Sequence, residues 1–344
     1  MVGVGALAAG ASLGGCILSR NNELNVYNWS DYIGETTIQD FEAEFRVKVN
    51  YDNYSSNDEL LAKMTSGATG YDVIVPNGYI VEILKDQDLL EPLDMDRIDN
   101  FRNVAEKFRS PPYDPGLPEA ERKFSVPYLW GTTGMGFNQA KVGEEVKSWG
   151  ILWDDNYKAK ITMLRDIRHL FSAAFKYLGY SVNSTDPDQL EQAKQKLLEQ
   201  KALVSAYTND TYMNMLATGD AWLCQGWSGD VCQVRADNQD VKYVIPEEGS
   251  DMYLDSLVIP KGAPHIDLAH EFINFTLRPE ISANISNYVW YPNANEASHR
   301  YLDPQMLNDP AIYPPSEIMA KLEFLVPLGE YEQQISQAWL EIIS

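Results

Sequence analysis

The sequence predicts an α/β protein of about two domains, and three observations carry that expectation. Residues 24–85 alternate strand and helix patterns in a βαβαβ order, a second α/β region follows residue 138, and two long extended segments lie at 126–137 and 251–260. At 344 residues the chain exceeds what one hydrophobic core usually organises, so the extended segments read as strands passing from one unit to the next.

Apolar alternation predicts a strand at 24–29, a helix at 30–45 with Ser30 as N-cap, and a second strand at 47–54. A helix at 57–66, a strand at 71–75 and a helix at 79–85 complete the first unit. This succession implies a parallel sheet with helices on both faces, which binds ligands at the carboxyl ends of its strands. Past a Pro- and Gly-rich stretch at 110–116, helices are expected near 149–153, 169–178, 187–199 and 211–218. A helix at 266–277 and a C-terminal helix from about residue 330 close the chain.

Composition excludes several functions. With 27 Lys+Arg against 50 Asp+Glu the formal charge is −23, which opposes coating of nucleic acid. Only 4 His are present, so clustered imidazole catalysis has little material, and neither HExxH, a nucleophile elbow nor a phosphate-cradling loop occurs. Cofactor and metal are both expected to be none.

The first charged residue is Arg20, and the run before it is short, apolar and rich in Gly and Ala. It is too short for a bilayer-spanning helix and reads as an export leader, residues 1–22 with its linker. Leu13-Gly14-Gly15-Cys16 resembles a lipobox, which would make Cys16 a lipidation site; a plain secretory signal is the alternative. Cys224 and Cys232 remain, an even pair that an oxidising compartment could join in a disulfide or leave as two buried thiols.

The expected strand ends carry aromatic and polar residues: Trp29, Ser30, Asp31 and Tyr32 after the first strand, Asn77 and Tyr79 after the third. Aromatics that recur at equivalent topological positions favour a ligand cleft over simple capping of the core.

Eight segments in collinear order then resemble the substrate-binding proteins of bacterial polyamine ABC importers, the putrescine- and spermidine-binding family. They are YNWSDYI at 27–33, YDVIVPNGY at 71–79, VPYLWGTTGMGFN at 126–138 and LGYSVNSTDP at 178–187. GWSGDV at 226–231, DSLVIPKGA at 255–263, YPNAN at 291–295 and AIYPP at 311–315 follow. The resemblance implies a two-lobed periplasmic-binding-protein fold, type II-like, with each lobe a mixed sheet flanked by helices and crossover strands between them. Lobe 1 is expected at 23–131 plus 256–296, and lobe 2 at 132–255 plus 297–344. It also implies a periplasmic monomer, no enzyme, that captures putrescine or spermidine and delivers it to a membrane permease.

Such a ligand needs carboxylates at its ammonium ends and aromatic faces along its methylenes. Carried over by position, the resemblance implies an aromatic channel of Trp29, Tyr32, Tyr79, Trp227, Tyr253 and Tyr291. Asp230 and Asp255 would hold the amines, with Asp166 a third candidate and Ser30 and Asp31 assisting at one end. Asn77 stands where the family commonly has Ser, and His169 where it usually has Glu. An imidazole lining the site would make diamine affinity fall as pH drops through about 6.5.

Other roles stay open for these residues. Asp255 would serve as a turn residue, Asp230 as a cap for a helix starting near Val231, Asp166 as a partner of Arg165 or Arg168, and His169 as a packed side chain. The rival ligands are 4-aminobutyrate, a sugar or ferric ion, and the rival enzyme is a glycosidase with a carboxylate pair.

Overall fold

The computed structural model describes residues 22–67, 70–116 and 122–344. Cys16 and the expected leader lie outside them, except for Asn22. The strands are β1 (Glu23–Trp29), β2 (Lys48–Tyr54), β3 (Val73–Ile74), β4 (Leu90–Glu91), β5 (Ser125–Asn138), β6 (Ile161–Met163), β7 (Val204–Tyr207), β8 (Leu223–Trp227), β9 (Val241–Val244), β10 (Ser250–Pro260) and β11 (Leu322–Phe324). Their order across the molecule is β2-β1-β3-β10-β5-β8-β6-β7, with β4 and β11 on β10 and β9 on β5.

The βαβαβ expectation is met, since β1 lies parallel to both β2 and β3. Mixed character comes from β10, which runs antiparallel to β3 and β5. Strand β5 joins the two halves: residues up to Thr132 pair with β10, and Thr133 to Phe137 pair with β8. Every residue of β5 and of β10 is buried, as expected of strands covered on both faces.

Of three apolar clusters among the described residues, the two largest follow the same division. Leu24, Val26, Phe41, Ile74, Leu257 and Phe272 belong to one, and Met135, Phe137, Phe171, Leu197 and Ile335 to the other. Met252, Tyr253 and Leu254 of β10 pack in the first. The second core is built between helices Ile167–Tyr177, Pro187–Lys201 and Tyr331–Ile343. The middle one begins with Asp186 as N-cap and Pro187 in its first turn, where a missing N–H costs nothing. Among the described residues no helix is long and apolar enough to cross a membrane.

Two local expectations are corrected. The first helix runs Thr37–Phe45, so Ser30 is not its cap. Asp31 takes a left-handed φ of 51°, and the Tyr32 carbonyl accepts from Asn28 Nδ2 at 3.3 Å and Tyr128 Oη at 2.9 Å. Tertiary partners thus satisfy the loop backbone that the helix was expected to satisfy. Cys224 and Cys232 are free and buried, and burial raises both thiols to about 12, so the disulfide is not formed here. Cys224 packs flat on Gly136 of β5, where an added Cβ would stand 2.7 Å from its sulfur, which commits the side chain to the sheet.

Candidate functional site

A cleft opens where the carboxyl ends of β1, β2 and β3 face the second half of the molecule, the location expected from strand topology. Its first wall is Trp29, Ser30, Asp31 and Tyr32 after β1, Tyr54 and Ser55 at the end of β2, and Asn77 after β3. Tyr253 and Asp255 project from β10, and Tyr291 follows the helix Pro279–Val289. The second wall is His169 from the helix Ile167–Tyr177, Asn209, Asp210 and Met213 after β7, and Trp227 and Asp230 after β8.

The aromatic rings form two sets, one around Trp29 and Trp227 and one around Tyr32. Trp29 meets Tyr54 at 4.5 Å and, across the cleft, Trp227 edge-on at 6.0 Å. Tyr32 stands against Tyr291 at 4.9 Å. Two glycines make room for the rings. A Cβ at Gly229 would lie 2.3 Å from the Tyr291 ring, and one at Gly131 would lie 2.5 Å from Tyr253 Oη.

Asp255 is 3% exposed and bridges Asn77 through backbone pairing, so it is not a turn residue. Its Oδ2 accepts from Tyr32 Oη at 2.7 Å, while its buried Oδ1 has no hydrogen-bond partner. Burial raises the carboxyl to about 7, against the lowering effects of the Tyr32 hydrogen bond and the His169 charge. Tyr253 Oη is buried without a partner as well. A carboxylate oxygen and a phenol oxygen thus share one cavity unpartnered, at a place where a cationic donor would satisfy both.

Asp230 lies in the first turn of the helix Ser228–Asp237, which starts earlier than the expected Val231, so it does not cap that helix. Tyr212 Oη and Tyr291 Oη each donate to it at 2.6 Å. Its carboxyl is raised to about 6 by burial, countered by those two phenols, and raised further by Asp31 and Asp210. Asp210 is itself raised by burial and by the charges of Glu59 and Asp31. Three carboxylates therefore gather at this end. The Tyr253 phenol, raised first by burial, feels both Asp255 and Asp230 and lies between the two acidic ends.

Two expected residues lie elsewhere. Tyr79, in the helix Gly78–Asp86, lines a separate apolar cavity with Tyr113 and Met252, and the Arg168 guanidinium sits 5.5 Å from its ring centre. Asp166 is the N-cap of the helix Ile167–Tyr177 and accepts at Oδ2 from Asn57 N at 3.4 Å and Asn57 Nδ2 at 3.2 Å. One carboxylate therefore sits at the first turns of two helices on opposite walls, where the helix dipoles favour it. It does not pair with an arginine: Arg168 bonds Glu332 at 2.6 Å.

His169 is packed and also lines the cleft. Burial works to lower its pKa, but the charges of Asp251, Asp166 and Asp255 outweigh that and raise it to about 9. The Asp251 carboxylate beside the ring thus favours its protonated form.

Tyr54, Ser55, Asn209, Asp210 and Met213 were missed. The strand-end rule applied to the second strand finds Tyr54. Asn209 and Asp210 follow β7, whose short run Val-Ser-Ala-Tyr carried no clear strand signal.

Comparison with known proteins agrees with this geometry. Residues 36–314 match the family model for bacterial extracellular solute-binding proteins. The spermidine/putrescine-binding periplasmic protein of Salmonella typhimurium is 32% identical, covering 96% of this chain and 93% of that protein. A putative spermidine/putrescine ABC transporter structure from Listeria monocytogenes superposes with a TM-score of 0.89 at 32% identity, over 94% of this chain and 99% of that one. A lipoprotein structure from Treponema pallidum gives 0.82 at 30% identity, over 93% and 99%. With a two-lobed fold, a cleft at the strand ends and matches over nearly the whole length, the chain belongs to the spermidine/putrescine branch of the bacterial extracellular solute-binding proteins, the periplasmic carriers that serve ABC permeases.

Proposed function

We infer that the cleft binds an aliphatic polyamine of the putrescine or spermidine class, one ammonium at Asp255 and the other at Asp230, and that the loaded chain hands it to the permease. The observation that carries this reading is the pair of buried, unpartnered oxygens, Asp255 Oδ1 and Tyr253 Oη, in an aromatic cavity. An ammonium donates up to three hydrogen bonds and satisfies both at once. Trp29, Trp227 and Tyr291 would cover the methylenes. Asp31 and Asp210 would strengthen the Asp230 end, with Ser30 and Asn77 beside the two sites. The two apolar cores support closure between lobes at 23–131 plus 256–296 and 132–255 plus 297–344, with Met252, Tyr253 and Leu254 moving with the first. Lipid attachment at Cys16 belongs to the same reading, supported by the tetrapeptide Leu13-Gly14-Gly15-Cys16 and by the lipoprotein among the similar structures.

A thermal-shift screen against putrescine, spermidine, spermine, 4-aminobutyrate, maltose and ferric ion tests it. Stabilisation is expected with amines alone, and a response confined to any other compound would overturn the reading.

The pH dependence has a defined sign. An ammonium needs the ionised carboxylate, and Asp255 is held at about 7 and Asp230 at about 6. Affinity should be level above pH 8 and fall as both groups take up protons, roughly 30- to 100-fold by pH 5.5. Calorimetric titrations from pH 8 to 5.5 measure this; a flat profile would remove Asp255 from the ammonium site.

A further inference from the structure

Strand β10 presents Asp251 and Tyr253 at alternate positions on one face, and Asp255 follows where its register with β5 shifts. Tyr253 and Asp255 reach the cleft, but Asp251 does not, because His169 covers it. The His169 Nδ1 lies 2.7 Å from Asp251 Oδ2, and Thr133 Oγ1 donates to the same oxygen at 2.8 Å. The ring stands edge-on to Trp227 at 5.7 Å and to Tyr253 at 5.6 Å, and both of those line the cleft. Asp251 is fully buried, with its Oδ1 unpartnered. The pair is therefore a carboxylate on the ligand-facing side of the strand whose cation is supplied by the protein.

We propose that His169 is a built-in cation occupying a third amine position beside the Asp255 end, so that the cleft accepts a diamine and discriminates against a triamine. This rests on the polyamine reading of the site. A diamine needs two anionic ends, and Asp255 and the Asp230 group supply them. The extra aminoalkyl arm of a triamine, extended past Asp255, would bring its ammonium against a protonated imidazole in a region closed to water. Like charges at such range oppose each other strongly. The groups facing the ring are Asp251 and Asp255 from β10 and Asp166 at the start of its own helix, and together they raise it to about 9 despite burial.

The test is calorimetric titration of the full chain at pH 7.5 with putrescine, spermidine and 4-aminobutyrate, in the wild type and in His169→Gln and His169→Asn. Either amide keeps a donor toward Asp251 and removes the charge. Thermal unfolding identifies any variant that does not fold. The wild type should bind putrescine at least tenfold more tightly than spermidine. In the variants the ratio of putrescine to spermidine affinity should fall at least tenfold. Nitrogen NMR of histidine-labelled wild type gives a reading that needs no variant: the His169 imidazole should remain doubly protonated at pH 7.5. Putrescine binding with an unaltered spermidine ratio in the variants, or a neutral His169 at pH 7.5, overturns the role of His169 and leaves the polyamine reading intact. Failure of every amine to bind, or tighter binding of 4-aminobutyrate than of putrescine, overturns both.

Discussion

Replacing Asp255 by Asn should cost diamine binding about 3 to 5 kcal/mol, roughly a 10²- to 10⁴-fold loss of affinity, the usual penalty for breaking a buried charge pair. The carboxylate is buried, one oxygen is engaged by Tyr32 and the other has no hydrogen-bond partner, so the amide would leave an ammonium there with a weak, neutral acceptor. Folding should survive. Burial holds this carboxyl at about 7, above its unfolded value of about 4, so without ligand the folded chain loses stability as pH rises from about 4 to 7 and carries the full cost above 7. The amide removes that cost, and the unliganded variant should melt no lower than the wild type at pH 8. Titration calorimetry paired with scanning calorimetry separates the two effects. Unchanged affinity would exclude Asp255 as the ammonium site, and a collapsed melting temperature would mean that its main role is structural.

Trp227→Ala is expected to have the next largest effect, about 2 to 3 kcal/mol, from lost cover of the methylenes and lost cation–π attraction. The ring lies on the second wall yet meets Trp29 of the first at 6.0 Å, and it also touches His169 and Tyr212. Truncation therefore weakens ligand contact and closure together. Ligand-induced compaction measured by small-angle scattering should shrink along with the affinity, and Trp227→Phe should recover most of both. Affinity within threefold of wild type in the alanine variant would show that the ring does not cover the ligand.

Much of this was legible in the residues. Apolar patterning located β1 and β2, the long extended runs located β5 and β10, and the carboxyl-end rule placed Trp29, Tyr32 and Asn77 at the cleft. Resemblance added Trp227, Asp230, Tyr253, Asp255 and Tyr291, all of which line it. What failed did so for physical reasons. Ser30 looked like a helix cap because it precedes an amphipathic run, but the side chains of Asn28 and Tyr128 bond the Tyr32 carbonyl and hold an irregular loop. Asp166 was the third candidate that the resemblance carried over by position. Its oxygens are instead committed to backbone and side-chain N–H groups of two helices, a competition that depends on the arrival of Asn57 from more than a hundred residues away. The effect of Asp251 on His169 was hidden similarly, since no local pattern pairs residues 82 positions apart.

The placement of Asp255 also has a kinetic side. It projects from β10, whose other pairings bind it into the first half of the molecule, while β5 beside it is the strand that continues into the second. A residue so close to the fulcrum travels little when the halves swing, whereas Asp230, Trp227 and His169 ride on the arm. On the proposed reading, capture would begin with one amine resting on a nearly stationary anion, and the far carboxylates would arrive afterwards. Departure would retrace the order, so the dwell time of the cargo would be set by how often the arm lifts and only secondarily by the strength of the first contact.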